Sequence, residues 1–171
     1  GLGTYDAHLG RQYVSLGLDK AVRKIFPDFS LHQYEAILSG VQQTLSTSHG
    51  GVYLFPGAKA LIKNLFNAGV TLAIATNKGE QSLQRALQAT ELVPYFATLA
   101  SASQYPAKPC TDMLEAVTNF CNIAPEQALM IGDSVADIEM ACDLNMQGAG
   151  VDFYYQQAND LKAAGACAIF H

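Results

Sequence analysis

The sequence lacks the features that mark nucleic-acid-binding and membrane-spanning proteins. It contains no cluster of Lys or Arg and has a formal net charge of -5, which argues against a broad nucleic-acid surface. Its apolar runs are too short to cross a bilayer, and no signal-peptide pattern opens it. We therefore expect a cytoplasmic protein that has neither nucleic acid nor membrane as a partner.

Cysteine and histidine are also few and scattered. The 171 residues include four of each, and no Cys-x-x-Cys pair occurs. This spacing gives no zinc motif, although a cluster formed only in the folded chain stays open. Three of the four cysteines lie in or near apolar patterns, which predicts buried, reduced thiols and agrees with a reducing compartment. The four are Cys110, Cys121, Cys142 and Cys167.

The first part of the chain, residues 1–50, has helical periodicity. Helices are predicted at Tyr5–Ser15, at Asp19–Phe26 and after Ser30, a plausible N-cap. The third helix carries apolar residues at steps of three and four, namely Leu31, Tyr34, Ile37, Leu38, Val41 and Leu45. The polar, Gly-rich segment from Ser46 to Gly51 predicts a linker and a domain boundary.

From residue 51 to residue 171 the pattern changes to alternating strands and helices. Predicted strands are Val70–Ala75, Ala97–Ala100, Ala128–Ile131, Gly148–Val151 and Ala166–Phe170. Predicted helices are one from Pro56-Gly57 to Gly69, Glu80–Thr90, one capped by Thr111, Val135–Leu144 and Gln157–Ala164. Strands separated by helices indicate an α/β fold whose parallel sheet has helices on both faces.

Two aspartates follow the third predicted strand. Asp133 comes after Gly132, and Asp137 lies four residues later, in the first turn of a helix. Ligands bind at the carboxyl ends of strands in open α/β sheets, where two carboxylates and a helix N-terminus suit Mg²⁺ and phosphate. The alternative is an N-cap Asp followed by an ordinary acidic first-turn residue.

Two further candidates precede predicted helices. Thr76 follows a buried strand, and its hydroxyl with the next backbone N–H groups could hold a phosphate oxygen; the alternative is a Thr that only caps a helix. Lys108 stands between Ala107 and Pro109, and its ammonium could neutralise phosphate charge. The alternative is a solvated surface lysine.

Taken in order, these segments resemble the haloacid dehalogenase superfamily. Gly132–Ala141 is similar to its fourth motif, in the form of the phosphoglycolate-phosphatase branch, Ile74–Lys78 to its second and Ala107–Leu114 to its third. The resemblance covers roughly Leu16 to the C-terminus. It implies a Rossmann-like α/β core and a Mg²⁺-dependent phosphatase that acts on a small phosphorylated metabolite.

The resemblance also implies roles for individual residues. Thr76 and Lys108 are expected to be catalytic, and both are expected to bind phosphate together with Asn77. Asp133 is expected to ligate Mg²⁺ directly, while Asp137 orients metal-bound water or pairs with Lys108. Residues 1–50 would be part of a helical cap that excludes water and selects the substrate, and residues 51–171 would be the core.

One family element is missing from the sequence. Such phosphatases begin with a strand ending in Asp-x-Asp-Gly-Thr, whose first Asp is the nucleophile, and no Asp-x-Asp occurs here. Its loss predicts a gap of about 9–10 Å between the strands that end at Thr76 and Asp133, with unpaired backbone and apolar side chains exposed. We expect a fragment of a longer protein, a strand swapped from a partner copy, or a sheet that closes without the strand.

The sequence thus supports several functions. The first is a phosphatase that forms an aspartyl phosphate, with the nucleophile supplied by the intact protein. Dehalogenation and phosphomutase chemistry occur on the same fold, but Thr76, Lys108 and Asp133 favour phosphoryl transfer. The second is a non-catalytic phosphate- and metal-binding remnant or regulatory pseudo-phosphatase. A flavodoxin-like receiver is weaker, because the Lys-Pro motif and the helical front argue against it.

Overall fold

The computed structural model describes Tyr13 and residues 18–47, 52–153 and 158–171. The chain divides into two compact units, Gly1–His49 and Gly50–His171. The predicted helix at Tyr5–Ser15 and the predicted start of a helix at Gln157 lie outside the described residues, Tyr13 excepted.

The first unit contains helices α1, Leu18–Ile25, and α2, Leu31–Thr47. Ser30 begins α2 with a reciprocal cap, since the Gln33 N–H donates to the Ser30 hydroxyl and the Ser30 N–H donates to the Gln33 side chain. Such capping stabilises a helix start by about 1 kcal/mol. The predicted N-cap is therefore confirmed.

Tyr34 joins the two helices of this unit. Its buried side chain packs where α1 buries Ala21 and Val22. Its hydroxyl hydrogen-bonds to Asp19, and the Arg23 guanidinium lies 4.1 Å from the centre of its ring. The predicted apolar face of α2 is wrong at its first position, because Leu31 is exposed.

The second unit alternates helices and strands in the predicted order. Its elements are α3 Ala58–Asn67, β1 Ala73–Thr76, α4 Glu80–Thr90, β2 Thr98–Ser101, α5 Asp112–Cys121, β3 Leu129–Gly132, α6 Val135–Asp143, β4 Gln147–Val151, α7 Ala158–Ala163 and β5 Ala168–Phe170. Short 3₁₀ turns at Val93–Tyr95 and Pro125–Gln127 precede β2 and β3.

The strands of the described residues form two sheets, and each sheet pairs its strands in parallel. β1 pairs with β2 from Ala73 opposite Thr98 to Thr76 opposite Ser101. The other sheet has the order β3-β4-β5, with Gly132 opposite Gly150 and Val151 opposite Phe170. The predicted α/β class with a parallel arrangement is confirmed.

Helices cover both faces of the smaller sheet. Ile74 of β1 and Leu99 of β2 pack against Leu83 and Leu87 of α4, in a cluster that Ile62 of α3 joins. Ala75 points to the other face and packs against the cluster of Leu114, Met140, Ala141 and Met146, which Met130 of β3 also joins. Because α5 and α6 contribute to this second cluster, they tie the two sheets together.

The two strands on either side of the expected gap are not joined. Among the described residues, β1 and β3 belong to different sheets and share no hydrogen-bonded ladder. Closure of the sheet, one of the expected outcomes, is therefore wrong.

The face of β3 turned away from α6 is poorly covered. Leu129 and Ile131 are each 50% exposed, whereas strands of parallel sheets are normally buried on both faces. Phe170 of β5, which alternation places on the same face, is also exposed. The predicted exposure of apolar side chains next to the gap is confirmed for β3.

Three further sequence expectations need correction. The first strand begins at Ala73 and not at Val70, because the Val70 N–H still donates to the carbonyl of Leu65 in the preceding helix. The Thr111 hydroxyl donates to the Glu115 carboxylate and caps no N–H group of α5 among the described residues. The cysteines are free, but three are exposed and Cys121 is only partly buried, because the helical and strand patterns placed them on outward faces or in turns.

No helix within the described ranges is long and apolar enough to cross a membrane.

Candidate functional site

The predicted site residues stand in three segments that follow strands. Thr76 is the last residue of β1, and Asn77 follows it. Lys108 lies in the irregular segment between β2 and α5. Asp133 follows the last residue of β3, and Asp137 lies in the first turn of α6. Since parallel strands place their carboxyl ends at one edge, these segments can meet there.

A buried ion pair connects two of these segments. The Nζ atom of Lys108 lies 2.6 Å from Oδ1 of Asp137, and the two side chains are only 10% and 6% exposed. Lysine and aspartate are rarely this buried unless they are paired. The surface-lysine alternative for Lys108 is therefore wrong, and the expected pairing of Asp137 with Lys108 is present.

Asp137 is fixed from its other side by Ser134. Oδ2 of Asp137 accepts hydrogen bonds from the Ser134 N–H at 3.0 Å and from the Ser134 hydroxyl at 2.7 Å. Both carboxylate oxygens thus have donors within the protein, one cationic and two neutral. This arrangement holds Asp137 in a single orientation.

Gly132 permits the close approach of Asp137 to the end of β3. A Cβ atom built on Gly132 would lie 2.3 Å from Cβ of Asp137, far inside the contact distance of two carbon atoms. Only glycine leaves room at this point for α6 to begin directly above the strand. The Gly-Asp sequence therefore reflects a packing requirement as well as a chemical one.

The segment after β1 holds the backbone of Lys108. The Lys108 N–H donates to Oδ1 of Asn77 at 2.9 Å. Together with the ion pair, this bond forms a polar line from Asn77 through Lys108 to Asp137 and Ser134. The line crosses from the end of β1 to the start of α6, where the strands themselves do not pair.

Some N–H groups expected to be available for phosphate are already used within the protein. The Lys78 N–H donates to the Thr76 hydroxyl at 3.1 Å, and the Glu80 N–H at the start of α4 donates to the Ser103 hydroxyl at 3.1 Å. The expectation of an open row of donors after Thr76 is wrong for these two positions. A hydroxyl that accepts one bond, as that of Thr76 does, still has its own hydrogen to donate.

Asp133 lies beside this polar line at the surface. Protein atoms around its exposed side chain remove enough water to raise the pKa of the Asp133 carboxyl, and the negative charge of Asp137 raises it further. A backbone hydrogen bond and the charge of Lys108 act in the opposite direction. The net result is a raised pKa, so the protein disfavours the charged form of this carboxyl.

The two aspartates fit part of a magnesium site. Oxygen donors of this type are the ligands that Mg²⁺ prefers, and a cation would relieve the repulsion that raises the pKa of Asp133. Asp137 has both oxygens occupied by internal donors, so it suits an indirect role better than direct ligation. Within the described residues no group of three or more His, Cys, Asp or Glu side chains could hold a metal, so these two supply only part of a ligand set.

Sequence reasoning underestimated Ser134 and missed two serines. Ser134 reaches Asp137 with two bonds, and the signal was its position three residues before an acidic first-turn residue, as in a capping box. Ser103 accepts the first N–H of α4. Ser101, beside Thr76 at the end of β2, has a buried hydroxyl without a hydrogen-bond partner among the described residues. No local pattern marks these two, because their neighbours come from distant parts of the chain.

The order and placement of these segments agree with one family model. The model of the haloacid dehalogenase-like hydrolases matches residues 1–151. The chain belongs to this hydrolase family. The match takes in Thr76, Asn77, Lys108, Asp133 and Asp137, so it covers the whole polar line as well as the exposed aspartate.

Individual relatives are similar over much of the chain. A phosphoglycolate phosphatase of Nitrosococcus oceani is 28% identical over 161 residues, which are 89% of this chain and 71% of the relative. One of Vibrio vulnificus is 30% identical over 119 residues, which are 69% of this chain and 52% of the relative. The chain therefore spans between about half and seven-tenths of the length of these relatives.

Solved structures agree on the fold. A predicted phosphoglycolate phosphatase from Haemophilus somnus superposes with a TM-score of 0.87 at 20% identity, covering 99% of this chain and 80% of that one. A haloacid dehalogenase-like family hydrolase from Streptococcus pneumoniae gives a TM-score of 0.84 at 22% identity, covering 100% and 80%. At these identities the likeness shows the fold alone.

Proposed function

We propose that the intact protein is a Mg²⁺-dependent phosphatase of a small phosphate monoester. The observation that carries the proposal is the buried contact of 2.6 Å between Lys108 and Asp137. It brings a lysine from the β2–α5 segment to the carboxyl end of β3, beside Asp133. The Lys108 ammonium is held firmly near the exposed Asp133 carboxyl, whose pKa is raised. This combination suits a ligand that carries both a dianion and a metal.

The residues of this chain would bind and polarise the phosphate. The Lys108 ammonium has three N–H donors, and Asp137 accepts from this group on one side. We propose that the remaining donors meet phosphoryl oxygens and stabilise the negative charge that develops there. Thr76 would donate its hydroxyl hydrogen to a further oxygen. Binding of phosphate by the Asn77 amide is a prediction from the sequence alone, and the Oδ1 atom of this amide accepts the Lys108 N–H.

Asp133 and Asp137 would hold the metal between them, Asp133 by direct ligation and Asp137 by orienting bound water. Mg²⁺ would supply charge neutralisation on the phosphate. Ser134 and Lys108 keep Asp137 in place for this task, as outer partners of metal sites commonly do.

The nucleophile would come from a segment outside this sequence. Two observations support this proposal: β1 and β3 belong to different sheets, and Leu129 and Ile131 of β3 are half exposed. We propose that a further strand belongs to the intact protein, that the present chain is an N-terminally truncated form, and that an Asp at the strand's end forms the aspartyl phosphate. We also propose that residues 1–50 are part of a cap that selects the substrate. A strand contributed by a second copy is the other candidate.

The names of the relatives support a choice of the first substrate to test. Because several similar proteins are phosphoglycolate phosphatases, 2-phosphoglycolate is the first compound to test. The competing function is a regulatory remnant that binds phosphate and metal without hydrolysis. A cytoplasmic location stays a prediction that fits the free thiols.

The test is hydrolysis of p-nitrophenyl phosphate and 2-phosphoglycolate by the intact gene product, with Mg²⁺ and with a chelator. Lys108→Ala and Asp133→Asn should each lower kcat/KM at least about 100-fold, as loss of a principal electrostatic group does. Lys162→Ala and Asp160→Asn, on the exposed side of α7, are matched controls and should change it less than about twofold.

Three outcomes separate the possible functions. Magnesium-dependent hydrolysis that is lost in Lys108→Ala and Asp133→Asn supports the phosphatase. Full activity in both variants would overturn the proposed site. An intact protein that binds inorganic phosphate and Mg²⁺ but hydrolyses neither compound would be the remnant.

A further inference from the structure

The side chain of Asn77 is turned toward Lys108. Its Oδ1 atom accepts the Lys108 N–H at 2.9 Å, although 31 residues separate the two along the chain. Only the oxygen of a carboxamide can accept a hydrogen bond, so this contact fixes which end of the Asn77 amide faces the lysine. One half of the side chain is therefore used to hold the protein and not a ligand.

Lys108 depends on such anchors for its position. It lies in the segment 102–111, which has no helix or strand. Its backbone is held by Asn77 and its ammonium by Asp137. A free lysine side chain samples many rotamers, so fixing both its backbone and its ammonium is an effective way to place the charge.

We propose that Asn77 is a positioning residue that sets the place of the Lys108 ammonium by holding the Lys108 backbone. This inference deepens the proposed function and rests on it, since it takes Lys108 as the group that contacts the phosphate. Direct contact between the Asn77 amide and phosphate is the competing role. The two roles differ in whether the effect of Asn77 passes through Lys108.

A double-mutant cycle separates the two roles. In the intact gene product with Mg²⁺ and p-nitrophenyl phosphate, Asn77→Ala should lower kcat about 10- to 100-fold, because a small misplacement of a catalytic group has effects of this size. In a Lys108→Ala background the same change should lower kcat less than about twofold. Losses that multiply in the double variant would overturn the inference.

Inhibition by inorganic phosphate gives a second comparison. If Asn77 acts only through Lys108, Asn77→Ala should leave the inhibition constant of phosphate unchanged once Lys108 is alanine. A clear rise in that constant in the Lys108→Ala background would mean that Asn77 binds phosphate itself, and the positioning role would fall.

Hydrogen exchange tests the anchor without any activity. The Lys108 amide should exchange at least about tenfold faster in Asn77→Ala than in the unchanged protein, the equivalent of one hydrogen bond. Asn77→Asp keeps an acceptor oxygen and should retain slow exchange. Asn119→Ala, on the exposed surface of α5, is the control and should change nothing at Lys108.

The exchange experiment also keeps this inference distinct from the proposed function. If the unchanged protein hydrolyses no phosphate ester but Asn77→Ala still releases the Lys108 amide, the phosphatase proposal fails and the anchor stands. Unaltered exchange in Asn77→Ala refutes the anchor whatever the activity.

Discussion

The Lys108 ammonium and the Asp137 carboxylate are in contact at 2.6 Å across 29 residues of sequence, almost fully removed from solvent. A buried pair of this kind is weak evidence for added stability, because both charges lose their hydration. It is strong evidence that the two side chains are fixed in position. If either one moved away, the other would be left as a buried charge without a partner. The contact thus binds the β2–α5 segment to the start of α6.

Removing one member of this pair should lower the free energy of unfolding more than neutralising both members does. Lys108→Met should lower the free energy of unfolding by about 3–5 kcal/mol, since it leaves a buried charge unpaired. Asp137→Asn keeps one acceptor oxygen for Ser134 but removes the charge that pairs with the Lys108 ammonium. In urea denaturation the double variant should lose clearly less than the sum of the two single losses, and additive losses would contradict the pairing.

Gly132→Ala tests the close approach at the end of β3. The new methyl group would overlap Asp137, so the free energy of unfolding should fall by about 1–3 kcal/mol or more. The control is Gly40→Ala in α2, where an added Cβ meets nothing within 4 Å and helix propensity should give a gain of about 0.5–1 kcal/mol. Equal effects at the two positions would argue against the packing requirement.

Asp133→Asn should stabilise the metal-free protein at neutral pH. The folded state raises the pKa of this carboxyl above its ordinary value, chiefly because nearby protein atoms remove water from it, so folding favours the protonated form. The stability associated with Asp133 is therefore fully present below the unfolded pKa and declines as pH rises through the folded pKa. Asparagine does not titrate and avoids this decline.

The melting temperature in the presence of a chelator checks this sign. The advantage of Asp133→Asn should be absent at low pH, grow as pH rises through the raised pKa of Asp133, and then stay constant. Asn119→Ala, on the exposed surface of α5, removes no titratable group and is the control, which should show no such trend. An advantage that shrinks with rising pH would contradict the direction of the shift.

Truncation of Ile131 should reveal whether another segment covers β3. In the present chain Ile131 is 50% exposed, so Ile131→Ala should cost about 1 kcal/mol, well below the range for buried isoleucine. Ile138→Ala, at a fully buried position of α6, should cost about 2–5 kcal/mol. If a further strand covers β3 in the intact protein, Ile131→Ala should destabilise that protein by an amount closer to the effect of Ile138→Ala. An unchanged cost would count against the missing strand.

Strong local periodicity made the elements predictable. The sequence predicts the helix Glu80–Thr90 with the bounds that the structure gives, because Leu83 and Leu87 recur at helical spacing. In the structure this helix begins after Gly79 and ends before Glu91, whose backbone is in the left-handed region. Strand starts were less predictable: Val70 is apolar, yet it still hydrogen-bonds to the end of α3. The exposed cysteines show the same limit. A periodic pattern identifies which residues share a face of a helix or strand, but it does not show whether another element covers that face.

The candidate site was only partly predictable. Thr76, Lys108 and Asp133 could be named because each follows or precedes an element in a recognisable order. The bond from Lys108 to Asn77 was not predictable from spacing, because it depends on how distant loops fold against one another. The N–H groups lost to Ser103 and Thr76 could not be anticipated for the same reason. The bonds from Ser134 to Asp137 had a signal in the capping-box spacing of these two residues.

The division of the strands into two sheets has a mechanical consequence. In the described part of the α/β unit, two features connect the β1–β2 sheet with the β3–β4–β5 sheet. One is the packing of Ala75 against the cluster that contains Leu114 and Met140. The other is the polar line from Asn77 to Asp137. Hinge motion between the two sheets would then stretch the same hydrogen bonds that place the ammonium. A strand inserted between them would suppress that motion, so completing the sheet would tighten ligand binding even without adding a single new contact to the ligand.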